Sequence, residues 1–238
     1  QQLAELSGAA PLGVIAYDSD AEKEPLPALN QQAVRAEAFR TIRTNLQYTD
    51  VDHPPKVVAI TSSVPSEGKS TTACNLAITM AQARLRVCLV EADLRRPRVA
   101  DYLGIDSSVG LTDVLAGRVP LQEAMLPWNR YLLTVLPSGS TPPNPSELLA
   151  SEQMRSILAT LRNDFDAVIV DTTPLLAVAD GAITSAAADG AIVVVRHGRT
   201  SEDQLDKALT ALAQVDARVL GTVLNYAPTK RRDSYGGY

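Results

Sequence analysis

The residues of this chain best suited to chemistry lie in one short run, Thr61-Ser62-Ser63-Val64-Pro65-Ser66-Glu67-Gly68-Lys69-Ser70-Thr71. A glycine, a lysine and a hydroxyl residue in that order suit the capture of phosphate groups. Gly68 lets the main chain approach an anion, Lys69 can reach β- and γ-phosphate oxygens, and Ser70 can place its hydroxyl on Mg2+. The residues around them, Ser66, Glu67 and Thr71, supply further backbone N–H groups to a loop that curls around the anion. An apolar run, Val57 to Ile60, precedes the loop, and an amphipathic helical pattern from Ala73 to Ala83 follows it. Strand, tight loop and helix is the context that puts the positive end of a helix behind a bound phosphate. A turn that merely contains Gly-Lys-Ser is the competing reading, and that context argues against it. One position departs from the usual pattern: the first glycine of the motif is Ser63 here.

A nucleoside triphosphate also needs carboxylates, to hold Mg2+ and to position the acceptor. Two strand ends offer them. In Val87-Cys88-Leu89-Val90-Glu91-Ala92-Asp93-Leu94-Arg95-Arg96-Pro97, alternation puts Glu91 and Asp93 on one side of the chain. In Asp166-Ala167-Val168-Ile169-Val170-Asp171-Thr172-Thr173-Pro174, Asp171 closes an apolar strand. Each alone reads as a turn or helix cap. Beside the loop they read as a site, because open α/β sheets bind ligands at the carboxyl ends of their strands. Candidate metal-holding residues are therefore Ser70, Asp93 and Asp171, and candidate catalytic residues are Lys69, Glu91, Asp93 and Asp171.

The elements that must position these residues alternate along the chain. Strands are predicted at 57–61, 86–90, 132–136, 166–170, 190–195 and 218–224, and helices at 32–48, 69–84, 110–116, 151–163, 179–187 and 201–214. Unbroken apolar strands separated by helices imply a mostly parallel central sheet with helices on both faces. Residues 1–30 read as an irregular lead-in, since prolines at 11, 25 and 27 and the acidic stretch Asp18 to Glu24 argue against a core element. Residues 227–238 read as a polar, basic, glycine-containing tail.

Composition sets the outer limits. The chain has 238 residues, 45% hydrophobic and 21% charged, which suits one domain with a full core. A net charge of −5 gives no reason to expect bulk nucleic-acid binding. Cys74 and Cys88 fall in a helical and a strand pattern, where buried reduced thiols are expected. No long uncharged apolar run or signal peptide is seen, and the start at Gln1 rather than Met suggests a fragment or processed product. Trp128, His53 and His197 form no recognisable cluster.

The loop, the Glu91-to-Pro97 segment and Asp171-Thr172-Thr173-Pro174 resemble the three Walker motifs of bacterial tyrosine kinases, P-loop proteins unrelated in fold to eukaryotic protein kinases. The resemblance covers about residues 33–226 and extends to Glu37-Ala38-Phe39-Arg40-Thr41-Ile42-Arg43, which is similar to that family's oligomerisation motif. Glu91 stands where the family usually has Asp. The resemblance implies an ATP- and Mg2+-dependent protein-tyrosine kinase in which Asp93 accepts the acceptor proton and Asn225 contacts the base. It implies phosphoacceptors Tyr235 and Tyr238 in the tail and a ring-shaped homo-oligomer, an octamer, built through Glu37, Arg40 and Arg43. It also implies a juxtamembrane linker over 1–30, a kinase domain over 31–226, and a setting at the cytoplasmic face of the inner membrane. There the partners would be a membrane anchor or activator and polysaccharide synthesis and export machinery.

Each further feature has a plainer reading. Glu37, Arg40 and Arg43 could form a solvated helix face with local ion pairs; Lys230-Arg231-Arg232 could be a solubilising charge run. A rival from another class is a partition- or Min-type nucleotide-switched ATPase with the same fold and motifs. Those proteins usually carry a second lysine five residues before the loop lysine, where this chain has Val64. A third is a regulatory module that binds ATP but transfers little.

Overall fold

The computed structural model describes residues 2–9, 11–19, 23–30, 32–128 and 132–228. In chain order the elements are α1 (Gln2–Ser7), β1 (Pro11–Ala16), a 3-10 turn (Pro27–Leu29), α2 (Val34–Gln47), β2 (Val57–Ser62), α3 (Lys69–Gln82) and β3 (Val87–Glu91). The short helices α4 (Val99–Leu103), α5 (Leu111–Leu115) and α6 (Leu121–Ala124) lead into β4 (Leu126–Trp128) and β5 (Leu133–Leu136). Then come α7 (Pro145–Leu149), α8 (Glu152–Asp164), β6 (Ala167–Asp171), α9 (Asp180–Ala187), β7 (Gly190–Arg196), α10 (Glu202–Ala213) and β8 (Val219–Ala227).

The eight strands form one sheet in the order β1-β8-β7-β2-β6-β3-β5-β4. Every pairing is parallel except β4 with β5. Alternate residues of each central strand feed opposite faces, as the period of two requires. Val58, Ile60, Leu89, Ile169, Ile192 and Val194 pack with α2 and α3. On the other face Val57, Cys88, Val90, Val168 and Val170 pack with α5, α6 and α8, and Ala59, Ala191 and Val193 pack with α10. Burial on both faces is why these strands read as unbroken apolar runs. Cys74 and Cys88 are free, buried thiols whose protons burial makes harder to lose.

The lead-in is a correction. Residues Pro11–Ala16 form the outermost parallel strand, paired to β8, with Leu12 and Ile15 each 1% exposed. Proline at the first position of an edge strand costs no ladder bond. Gly13 replaces the β-branched residue that a strand pattern would show because a Cβ there would meet Ile42 Cγ1 at 2.5 Å. Among the described residues no helix is long and apolar enough to cross a membrane. The tail calls, Lys230 to Arg232, Tyr235 and Tyr238, lie outside the described residues.

Candidate active site

Lys69, Asp93 and Asp171 arrive from three neighbouring elements. The loop after β2 delivers Lys69 at the first position of α3; the strand ends of β3 and β6, paired Glu91 to Asp171, deliver the carboxylates. The loop is shaped by two left-handed residues, Ser66 (φ 67) and Gly68 (φ 91). Glycine is required at 68 twice over, since a Cβ would also meet Asn225 Nδ2 at 2.1 Å. Ser63 is outside the left-handed region, so the missing first glycine leaves no strain behind. Its hydroxyl is buried without a hydrogen-bond partner.

Lys69 Nζ lies 2.8 Å from Asp93 Oδ2 and 3.5 Å from Asp171 Oδ1. Ser70 Oγ donates to Asp171 Oδ2 at 2.7 Å and accepts from Lys69 at 3.1 Å. Burial pushes the Asp171 carboxyl up to about 6, with Lys69 and Ser70 pulling it back. Burial alone would lower the Lys69 ammonium, yet Asp171 and Asp93 hold it above its usual value. The cation sits on these two carboxylates. The donor set fits Mg2+: a hydroxyl and a carboxylate are hard oxygen ligands, and this ion takes one or two carboxylates beside phosphate oxygens. Among the described residues no three His, Cys, Asp or Glu side chains are grouped so as to hold a metal ion by themselves.

Two other acidic residues have different duties. Glu91, expected among the catalytic carboxylates, is 0% exposed, and main-chain groups engage both its oxygens. Oε1 accepts from the Val99 N–H at 2.5 Å and Oε2 from the Ser138 N–H at 3.1 Å. Glu67 likewise turns inward: its carboxylate accepts from the Val64 N–H at 2.8 Å and from the Thr200 hydroxyl. What Glu67 leaves to a ligand is its backbone.

Asn225, expected as a base contact, lies against the loop and donates from Nδ2 to the Glu67 carbonyl at 3.0 Å. With Thr71, Arg35, Asp18 and Tyr226 it lines a small recess beside the start of α3. Sequence reading missed what surrounds it. Arg196 donates to the Ser66 carbonyl at 3.0 Å and lies 4.1 Å over the Tyr226 ring, which leans on Tyr17 of the N-terminal segment. On α2, Glu37 pairs with Arg40 at 2.6 Å, and Arg43 donates to the Thr79 carbonyl of α3 at 3.2 Å. The Glu37–Arg40 pair is the local ion pair of the plainer reading, whereas Arg43 ties α2 to α3.

A phosphate-binding loop between a parallel strand and a helix, with carboxylates on the two adjacent strand ends, defines an α/β P-loop nucleotide-binding domain. A family model described as an AAA domain matches residues 55–224, the span from β2 to β8. The tyrosine-protein kinase YwqD of Bacillus subtilis (strain 168) is 42% identical over 207 residues, covering 87% of each chain. The tyrosine-protein kinase CpsD of Streptococcus agalactiae is 35% identical over 88% of this chain and 91% of its own. Among solved structures, the kinase domain of the Escherichia coli tyrosine kinase ETK superposes with a TM-score of 0.91 at 28% identity, covering 100% of this chain and 98% of that one. The chain belongs to the bacterial tyrosine-protein kinases, and the partition-type reading is not favoured.

Proposed function

We propose that this kinase transfers the γ-phosphoryl group of Mg-ATP to tyrosines of its own C-terminal tail, between subunits of an assembly. The observation that carries the reading is the Lys69–Asp93–Asp171 cluster at the mouth of the phosphate loop, with Ser70 bonded to Asp171. When ATP binds, Lys69 moves its charge from the carboxylates to β- and γ-phosphate oxygens, joined by loop N–H groups of Ser66 to Thr71. Ser70 and Asp171 would hold Mg2+, which when bound would supply charge to neutralise the phosphates. Asp93, released from Lys69, accepts the phenolic proton as the tyrosine oxygen attacks the γ-phosphorus and ADP leaves. Glu91 serves from behind, tying the start of α4 and the Ser138 turn to the end of β3. Asn225 and the recess at Tyr226 take the nucleoside end.

The tail supports the acceptor role. Tyr235 and Tyr238 lie in Asp233-Ser234-Tyr235-Gly236-Gly237-Tyr238, beside glycines that allow an extended approach. The roughly 12 residues after β8 can span about 40 Å, enough to reach a neighbouring subunit. Tethering in a ring raises the local concentration of the tail to roughly millimolar. Each phosphate added brings about −1.5 to −2 charge beside Lys230, Arg231 and Arg232, which releases the tail from the acidic site and loosens the ring. The α2 row of Glu37, Arg40 and Arg43 is the surface through which such a ring, by family resemblance an octamer, would close. The same resemblance supports a membrane anchor or activator at the inner face of the plasma membrane and a role in polysaccharide synthesis and export.

Incubation with Mg-ATP followed by intact-mass measurement and peptide mapping tests the proposal. Added phosphate on Tyr235 or Tyr238 supports it; ATP hydrolysis without phosphotyrosine rejects it. Sedimentation of the Glu37, Arg40, Arg43 triple alanine variant tests assembly, and an oligomer identical to wild type rejects that interface.

A further inference from the structure

Asp180 is a fully buried carboxylate that the transfer chemistry above does not use. It opens α9, and its partners come from two other segments. Arg95 Nε donates to Oδ2 at 2.8 Å and Arg95 Nη2 to Oδ1 at 3.4 Å. Ser146 Oγ, in the first turn of α7, donates to Oδ1 at 2.5 Å and accepts from Arg95 Nη2 at 3.1 Å. Both Asp180 oxygens are thereby engaged.

The cluster is built into the loop that carries Asp93. Leu94, 1% exposed, pins the chain to the core, Arg95 is fastened by Asp180 and Ser146, and the Arg96 N–H donates to Asp93 Oδ1 at 3.0 Å. On the other side, α9 is seated on the Asp171 loop: a Cβ at Gly181 would meet the Thr173 carbonyl oxygen at 2.4 Å. A continuous run of contacts therefore joins the Asp93 loop, Asp180, and the turn two residues beyond Asp171. Burying a carboxylate costs free energy that its partners do little more than offset, so net stability is a poor reason for the arrangement. Geometry is a better one, because a bidentate arginine pairing fixes direction as well as distance.

We propose that Asp180 and Ser146 are positioning residues for the phosphoryl transfer: they hold Arg95, and through it keep the Asp93 carboxylate aimed at the acceptor hydroxyl. This rests on the reading of Asp93 as the group that takes the tyrosine proton. The side chains of Asp180 and Ser146 hydrogen-bond with each other and with Arg95, not with the phosphate loop, so the loss falls on transfer through Asp93 and spares ATP binding.

The experiment compares Asp180→Asn, Ser146→Ala, Arg95→Gln and the Asp180→Asn/Arg95→Gln double variant. Losing one charge-assisted hydrogen bond predicts a fall in kcat of about tenfold for Asp180→Asn, with KM for ATP within about twofold. The double variant is no worse than Arg95→Gln alone, because the two act through one contact. Ser146→Ala keeps the ion pair, and so the fold, and gives a smaller loss in the same direction. Hydrogen exchange of the backbone amides provides a readout independent of activity: those of Asp93 to Arg98 exchange faster in Asp180→Asn, while those of the phosphate loop do not. A rise in KM with kcat unchanged, additive losses in the double variant, or unaltered exchange at Asp93 to Arg98 overturns the proposal. Wild-type protein that makes no phosphotyrosine overturns the acceptor role of Asp93 instead, and the exchange measurement then still decides the network.

Discussion

Asp93 and Asp171, facing Lys69, can be set against Glu91, at the end of β3, and Glu67, in the phosphate loop after β2, which are buried as completely. The first pair is satisfied by a cation and a hydroxyl, both of which a phosphate and its metal would claim. The second pair is satisfied mainly by main-chain N–H groups, which no ligand displaces. Carboxylates of the first kind are held in an arrangement that a ligand can exchange for another. Those of the second kind fix the loops on which the first are mounted. Burial and residue type do not separate the two; the identity of the partner does.

The largest effect expected from breaking this division is at Lys69. Lys69→Met removes a donor to the transferring phosphoryl group, and turnover should fall about 10³-fold, the upper range for one preorganised donor. Asp93 and Asp171 would also be left facing each other without their cation, so a lower Tm accompanies the loss. Unchanged turnover in folded Lys69→Met would remove the phosphate-loop reading.

Next comes the contrast between neighbours. Asp93→Asn should slow transfer about 10²-fold, the lower range for a general base. Glu91→Gln should leave kcat within about threefold while costing about 1–3 kcal/mol of stability, since the amide NH2 meets an N–H where an acceptor stood. Phosphotyrosine yield and thermal melts on the two variants make the comparison. Equal kcat losses would put Glu91 among the reacting groups and dissolve the distinction.

The smallest effect sharpens it far from the site. Asp189 accepts from the Lys56 and Val57 N–H groups, each at 2.8 Å, and pairs with Arg162 at 2.5 Å. Although burial works against it, Arg162 and the two N–H groups hold its carboxyl below the usual value. A lowered folded-state pKa contributes stability above the unfolded value of about 3.9, lost as pH falls through the folded one. Asp189→Asn should therefore lower Tm at pH 7 by an amount corresponding to about 2 kcal/mol, with kcat unchanged. The gap from wild type should close as pH drops below about 4. A gap independent of pH would deny the charge its part.

The placement of the candidate site residues was the legible portion. Gly68, Lys69 and Ser70 sit in a local strand–loop–helix pattern, and Asp93 and Asp171 end apolar strands, so neighbouring residues reveal them. The six predicted strands all appear in the sheet, with boundaries within a few residues. Illegible were features fixed by distant partners. The strand at Pro11–Ala16 owes its place to β8 and to the Ile42 side chain that excludes a Cβ at Gly13. Glu91 was placed correctly at a strand end, but its partners Val99 and Ser138 lie 8 and 47 residues away. Asp180 reads as an ordinary helix start, and only the folded chain brings Arg95 to it across 85 residues.

The most direct test of the transfer itself mixes wild-type protein with Lys69→Met protein of distinguishable mass, adds Mg-ATP, and maps phosphotyrosine on each. Phosphate at Tyr235 or Tyr238 of the Lys69→Met chain is the result predicted for an active cluster reaching a neighbour's tail. Hydrolysis of ATP with no phosphotyrosine on either chain, or phosphate confined to Tyr17, Tyr48, Tyr102 or Tyr131, would contradict it.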